Sequence, residues 1–558
     1  MIANASPRRS DVFILAILAS LISLASFLYF YSHDKILLYG DAVAHINIAR
    51  RVFDSQFPGL AQLGTVWLPL PHLLMIPFIV NDRMWSSGVG GSVPSLIAFV
   101  LGAVGVAKIF WTSGVFADET DESKLCWGGW LAAVVYLCNP NLLYMQSTAM
   151  TEPLAIALAI WAIYFYCRFV AKHKAALLGS GDERTSAELG DGGRKSLLYC
   201  SLLLAAAALT RYDCWFLAAA IAIAVFGNIF LRYRGLGLVR YKQEVVGRLR
   251  RRFLIFAATI AMVPLFWLAY NQALFGNALE FANGRYSARA IAARSLEAGN
   301  PPHPGRASLR GDAAQYWAAT RINVEGGRIG TIVLIVALVG GVALLFAEAP
   351  LAIVLWLPLG FYIWSIAYGG IPIFVPDRWP FSYYNVRYGL EMLPAIAVSC
   401  GYLLLILLGR FESPRVQLAF PALLFALLGA AYVQSWVNGP ACLREGEINS
   451  AARIALHKEI AAALKELPTE STFVVSLTEH VGVFERAQIP LRRTWNESSH
   501  RKGEREFAFP LTQGDYVMAF DGDRVADMVA QHPESVRTIA VFHVAGERRC
   551  VLYKTVRS

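Results

Sequence analysis

Charge is scarce in this chain of 558 residues: Asp, Glu, Lys and Arg make up 16% of it, against 56% hydrophobic residues. Apolar runs recur along most of its length, which excludes a globular enzyme in water and leaves a mainly α, polytopic membrane protein. Cysteine is sparse, and none of the eight shows metal-ligand spacing, which argues against a zinc module. Cys126, Cys138, Cys167, Cys200, Cys214 and Cys400 fall in or beside apolar runs as small buried hydrophobes. Cys442 and Cys550 bracket the C-terminal region and are read equally as a disulfide or as two free thiols. That region has no glycine-rich phosphate loop, and the chain has no internal repeat. The first apolar run, Val12 to Tyr31, is too long for a signal-peptide core and lacks a small-residue cleavage site, so it is read as a retained helix.

The net charge of +10 would suggest nucleic acid in a soluble protein. Here Arg232, Arg234, Arg240, Lys242, Arg248, Arg250, Arg251 and Arg252 cluster between two apolar runs, as in a cytoplasmic loop facing anionic lipid, so the expected partner is the bilayer and not nucleic acid. Windows of bilayer-spanning length place eleven spans near 12–31, 93–111, 125–139, 152–170, 197–210, 214–231, 253–270, 329–347, 350–368, 388–408 and 417–437. Trp67 to Val80 is apolar but short and carries Pro69, Pro71 and Pro77, which predicts a helix lying along the outer leaflet. With that segment kept out of the membrane, Arg8-Arg9 and the basic loop both face the cytoplasm. The expected setting is an inner membrane, with the N-terminus cytoplasmic and the C-terminal region outside. Leu178 to Gly193 reads as a mobile cytoplasmic linker.

Composition divides the chain into a membrane domain, 1–440, and a small extracytoplasmic α/β domain, 441–558. In the latter, Glu445 to Leu467 and Asp523 to Gln531 have helical periodicity, and Thr472 to Leu477, Tyr516 to Phe520, Thr538 to Val544 and Arg549 to Val556 read as strands.

On this topology the polar loops converge on the outer side. Gly40-Asp41 opens an amphipathic surface helix with Asp41 and His45 on one face, where Asp41 suits either an N-cap or a catalytic carboxylate. Glu152 closes the polar turn that begins at Asn139-Pro140. An acid kept so near lipid favours a functional role over simple helix-dipole stabilisation. Arg211-Tyr212-Asp213 fills a short outer turn, Tyr270-Asn271 ends a span, and Arg387-Tyr388 opens another, where a guanidinium can meet a phosphate at headgroup level. The long loop after Asn271 carries Arg285, Arg289, Arg294, Arg306, Arg310, Arg321 and Arg328, either to hold a lipid-linked phosphate or as ordinary surface charge.

An acid after the first span, Leu68-Pro69-Leu70-Pro71-His72, Met150-Thr151-Glu152-Pro153-Leu154, Arg211-Tyr212-Asp213, Tyr270-Asn271 and Arg387-Tyr388, in that order and on one side, resemble the GT-C superfamily. More narrowly the chain is similar to its protein O-mannosyltransferase and lipid A aminoarabinose transferase branch. The resemblance implies a membrane glycosyltransferase that moves one sugar from a polyprenyl-phosphate donor to a hydroxyl of a lipid, glycan or protein. It implies Asp41 and Glu152 as catalytic acids, with His45, His72, Arg211, Tyr212, Asp213, Tyr270, Asn271, Arg285, Arg387 and Tyr388 as substrate-binding residues. Ala42 stands where the O-mannosyltransferases often carry a second acid, so the acceptor is not carried over. No metal cluster is visible in the sequence, and whether a divalent ion assists is open, since paired carboxylates beside a phosphate could recruit magnesium. The alternative is a small-solute or lipid transporter, which would want broken helices and ionisable groups near the bilayer midplane.

Overall fold

Apolar residues on most sides of a helix require a second solvent, and the computed structural model shows where it lies. It describes residues 9–116, 121–178, 183–233, 250–297, 299, 303, 308–369, 371–411, 413–478, 480–499 and 507–556. Arg8, Arg234, Arg240, Lys242, Arg248, Arg306 and part of the 178–193 linker lie outside them. Arg9–Ser32 buries Leu15, Ala19, Ser23, Phe27 and Phe30 along one stripe, while Phe13, Leu21, Leu24 and Leu28 point outward and stay exposed. Such an apolar outer surface is the signature of a lipid-facing helix.

All eleven predicted spans are helical: Arg9–Ser32, Val89–Trp111, Glu122–Leu137, Glu152–Leu178, Glu183–Ala208, Asp213–Tyr233, Arg250–Phe275, Arg328–Ala347, Ala349–Gly369, Leu393–Arg410 and Pro414–Asn438. Eight helices among the described residues are long and apolar enough to cross a membrane, and the chain is a multi-pass membrane protein. The helix beginning at Glu183 takes in most of the expected linker, because its Glu, Arg, Ala and Leu residues are good helix formers. The segment Trp67 to Val80 is helical over Leu70–Ile79 and buries Pro71, His72, Met75 and Ile79.

Close helix packing rests on small residues and buried polar bonds. A Cβ at Gly401 would come within 2.6 Å of the Gly128 carbonyl, so two backbones meet there. Gln146 ties the first span to the 140–146 helix, accepting from the Ser23 hydroxyl at 2.8 Å and donating to Ser26 at 2.7 Å. Gly389 is equally constrained, its absent Cβ lying 2.5 Å from the Ala319 carbonyl. Gly389→Ala should therefore destabilise the protein by about 1–3 kcal/mol, read as a lower unfolding midpoint in detergent.

The C-terminal region holds a five-stranded sheet: β1 (Phe473–Val475), β2 (Thr494–Trp495), β3 (Tyr516–Phe520), β4 (Val536–Phe542) and β5 (Cys550–Thr555). The order is β2-β1-β3-β5-β4, with β1 parallel to β2 and β3, and β5 antiparallel to β3 and β4. Four of these strands match the expected ones; β2 was not expected, because two residues carry no alternation. Cys442 and Cys550 are free, and the Cys442 thiol donates to Asn323 Oδ1 at 3.3 Å, so the disulfide alternative is not realised.

This region packs onto the helix Gly40–Arg51, read from the sequence as the amphipathic surface helix. Trp85 Nε1 donates to Asn47 Oδ1 at 3.0 Å, and Asn47 Nδ2 donates to Glu485 Oε2 at 3.0 Å. The other carboxylate oxygen of Glu485 is buried with no hydrogen-bond partner. Burial pushes this group up from 4.5 to about 8, the Asn47 hydrogen bond opposing the rise. A raised acid favours folding fully at pH below its unfolded value. That contribution is lost as pH climbs from 4.5 to about 8, because the unfolded chain has released a proton that the folded protein retains. Stability should fall over this window by up to about 1.4 kcal/mol per pH unit. Glu485→Gln should flatten the dependence, as measured by thermal unfolding across the window.

Candidate active site

The surface helix begins at Gly40 after an extended Tyr39, so Asp41 sits in its first turn and makes no capping bond. Its side chain is free to turn toward a cavity of about 1780 Å³ between the membrane helices and the C-terminal region. There Arg387 Nη2 donates to Asp41 Oδ2 at 2.6 Å. Asp41 Oδ1 accepts no protein hydrogen bond among the described residues, and the side chain keeps 40% exposure.

Arg387 is placed by a strained turn. Asn385 has φ of 55°, a left-handed conformation that Asn tolerates better than most residues, and it heads the 3-10 helix Val386–Met392. The Asn385 and Val386 amides donate to Glu445 Oε1 and Oε2 at 2.8 and 2.9 Å. Arg387 Nη1 adds a bond to Glu445 Oε1 at 3.1 Å, and Nε donates to Glu152 Oε1 at 3.0 Å. All three guanidinium nitrogens thus end on carboxylates.

Arg211 builds a second node. It donates through Nη1 to the same Glu152 oxygen at 3.0 Å, through Nε to Asp213 at 3.0 Å, and through Nη2 to the Tyr362 hydroxyl at 2.8 Å. Glu391 stands 3.5 Å from Nε. The Tyr388 ring lies between the two guanidinium groups, 5.0 Å from each. Two arginines therefore hold five carboxylates in place, a geometry in which either partner alone would be costly to bury. Glu152 is 1% exposed, and its Oε2 has no hydrogen-bond partner.

Of the expected residues, Asp41, His45, Glu152, Arg211, Tyr212, Asp213, Arg285, Arg387 and Tyr388 line the cavity. His72 stands behind His45, 2.9 Å from its Nδ1. Burial, with Arg387 and Arg211 nearby, lowers His45 to about 3, so it stays neutral at physiological pH. Tyr270 donates to the Leu60 carbonyl at 2.8 Å and Asn271 to the Trp267 carbonyl at 2.8 Å; neither reaches the cavity wall. Tyr212 lines the wall but spends its hydroxyl on the Val66 carbonyl at 2.9 Å. Glu445 and Glu391 were not foreseen. Glu445 lies in the helix Ala441–Lys465, of soluble-looking composition, and Glu391 sits within an apolar run.

The cavity lies at the ends of many helices in a polytopic, mainly α membrane protein and is built around a half-free carboxylate. Among solved structures the chain is similar to ArnT from Cupriavidus metallidurans bound to undecaprenyl phosphate, with 12% identity over 99% of each chain and a TM-score of 0.52. It is similar to the apo state of the same protein, with 12% identity over 98% of each chain and a TM-score of 0.51. No protein-family model and no curated protein matches the sequence.

Proposed function

We propose that the chain is a membrane glycosyltransferase that takes one hexose or pentose from a polyprenyl-phosphate donor and adds it to an acceptor hydroxyl outside the cytoplasm. The observation that carries this reading is Asp41, fixed through one oxygen by Arg387 and open to the cavity through the other. The fold shared with an ArnT bound to undecaprenyl phosphate supports the donor class. The protein would lie in the inner membrane with the C-terminal region outside.

In this mechanism the acceptor hydroxyl attacks the anomeric carbon while Asp41 Oδ1 takes its proton. The bond from the anomeric carbon to the donor phosphate breaks, and its electron pair leaves with the phosphate. That leaving group needs no general acid if positive charge meets it. Arg387 and Arg211 supply this charge at the reaction centre, Arg387 passing from Asp41 to the phosphate as Asp41 is protonated. A single displacement inverts the anomeric centre.

Among the described residues no three acidic, imidazole or thiol side chains are grouped to hold a metal, since the arginines fill the space between the carboxylates. No step is routed through a divalent ion; activity lost on chelation and restored by magnesium would require one. The transporter alternative gains nothing from carboxylates gathered at the helix ends. Purified protein incubated with polyprenyl-phosphate sugars and cell-envelope extract should release free polyprenyl phosphate. No release from any such donor would overturn the proposal.

A further inference from the structure

The cavity is polarised, and its second end has no part in the reaction above. Arg51, the last residue of the surface helix, faces the cavity together with Arg285, Arg289 and Ser498. Arg51 Nη1 donates to the Ser498 hydroxyl at 3.2 Å, while Nε is shut away from solvent with no hydrogen-bond partner. Among the described residues no carboxylate makes a direct ion pair with it, and the charge of Glu497 acts on it without a hydrogen bond. Glu497, the nearby acid, spends its oxygens on the Leu477 amide at 2.9 Å and the Thr478 hydroxyl at 2.6 Å. Arg51 is partly exposed, and with the oxygens of its nearest acid already engaged its guanidinium keeps donor capacity for an anionic ligand in the cavity.

We infer that Arg51 is the centre of a second subsite that binds an anionic, phosphate-class group on the acceptor, an inference that rests on the proposed function. The fork of an arginine matches phosphate oxygens in two-point contact. Position assigns the anion to the acceptor. Ten residues along one continuous helix set Arg51 about 15 Å from Asp41, too far for a phosphate bonded to the carbon under attack. The acceptor would thus lie along the surface helix, its hydroxyl at Asp41 and its anionic group against the C-terminal region.

The test is thermal unfolding of the full chain in detergent, titrated with inorganic phosphate against sodium chloride of equal ionic strength. Phosphate should raise the midpoint. Arg51→Gln should weaken that response at least roughly tenfold. Ser498→Ala should weaken the response in the same direction. An undiminished response in Arg51→Gln would overturn the subsite. Undecaprenyl phosphate should bind wild type and Arg51→Gln alike; loss in the variant would place the donor phosphate at Arg51 and overturn the acceptor assignment. Failure of undecaprenyl phosphate to bind either protein would instead sink the proposed function, leaving the anion site to stand on its phosphate response.

Discussion

Asp41→Asn should cut sugar transfer by about 10²- to 10⁴-fold while polyprenyl phosphate still binds. The substitution keeps the shape of the side chain and a carbonyl oxygen for Arg387 Nη2, now 2.6 Å from the carboxylate. What it removes is the proton acceptor facing the cavity. Binding and chemistry should therefore separate: turnover collapses and donor affinity holds. Glu152→Gln is the instructive contrast. Glu152 Oε1 accepts from both Arg387 and Arg211, so an amide there loosens two cations at once and should lower stability together with activity. Donor release measured beside equilibrium binding of polyprenyl phosphate separates the two cases. Full turnover in Asp41→Asn would remove Asp41 from the role of base.

The two central groups, Asp41 and Arg387, were legible because each is announced locally, by an acid opening an amphipathic pattern and by a cation opening an apolar run. Their meeting was legible only through sidedness, since 346 positions separate the partners. Glu445 was hidden for the opposite reason. Nothing near it in sequence marks it, and its role is set by two amides and a guanidinium about sixty positions upstream. Arg51 looked like ordinary charge at a helix end, where a cation is favourable in any case; only its unpartnered nitrogen distinguishes it. Tyr270 and Asn271 misled because residues that end an apolar run are polar whether they face a cavity or the neighbouring backbone. Four strands were legible as β-prone apolar runs between turn residues, β1 keeping only three residues of its run, whereas β2 is two residues long.

The second large effect is expected at Glu445, in the helix Ala441–Lys465. Its carboxylate is 2% exposed and takes three donors, the amides of Asn385 and Val386 and Nη1 of Arg387. Glu445→Ala strands all three where water does not easily replace the lost acceptor, which should cost about 3–5 kcal/mol. Glu445→Gln keeps one acceptor oxygen but turns an amide nitrogen toward other donors, so its cost should be intermediate. Glu447 on the same helix provides the control: it pairs with Lys35 at 2.8 Å, but both side chains are about one-third exposed. Its removal should cost less than about 1 kcal/mol. Unfolding midpoints in detergent would rank the three variants, and transfer assayed below the Glu445→Ala midpoint should still be impaired, because the turn that aims Arg387 at Asp41 has lost its anchor. If Glu445→Ala and Glu447→Ala unfold together, the C-terminal helix is only packed against the site; if they separate as expected, it sets the position of the Asp41–Arg387 pair.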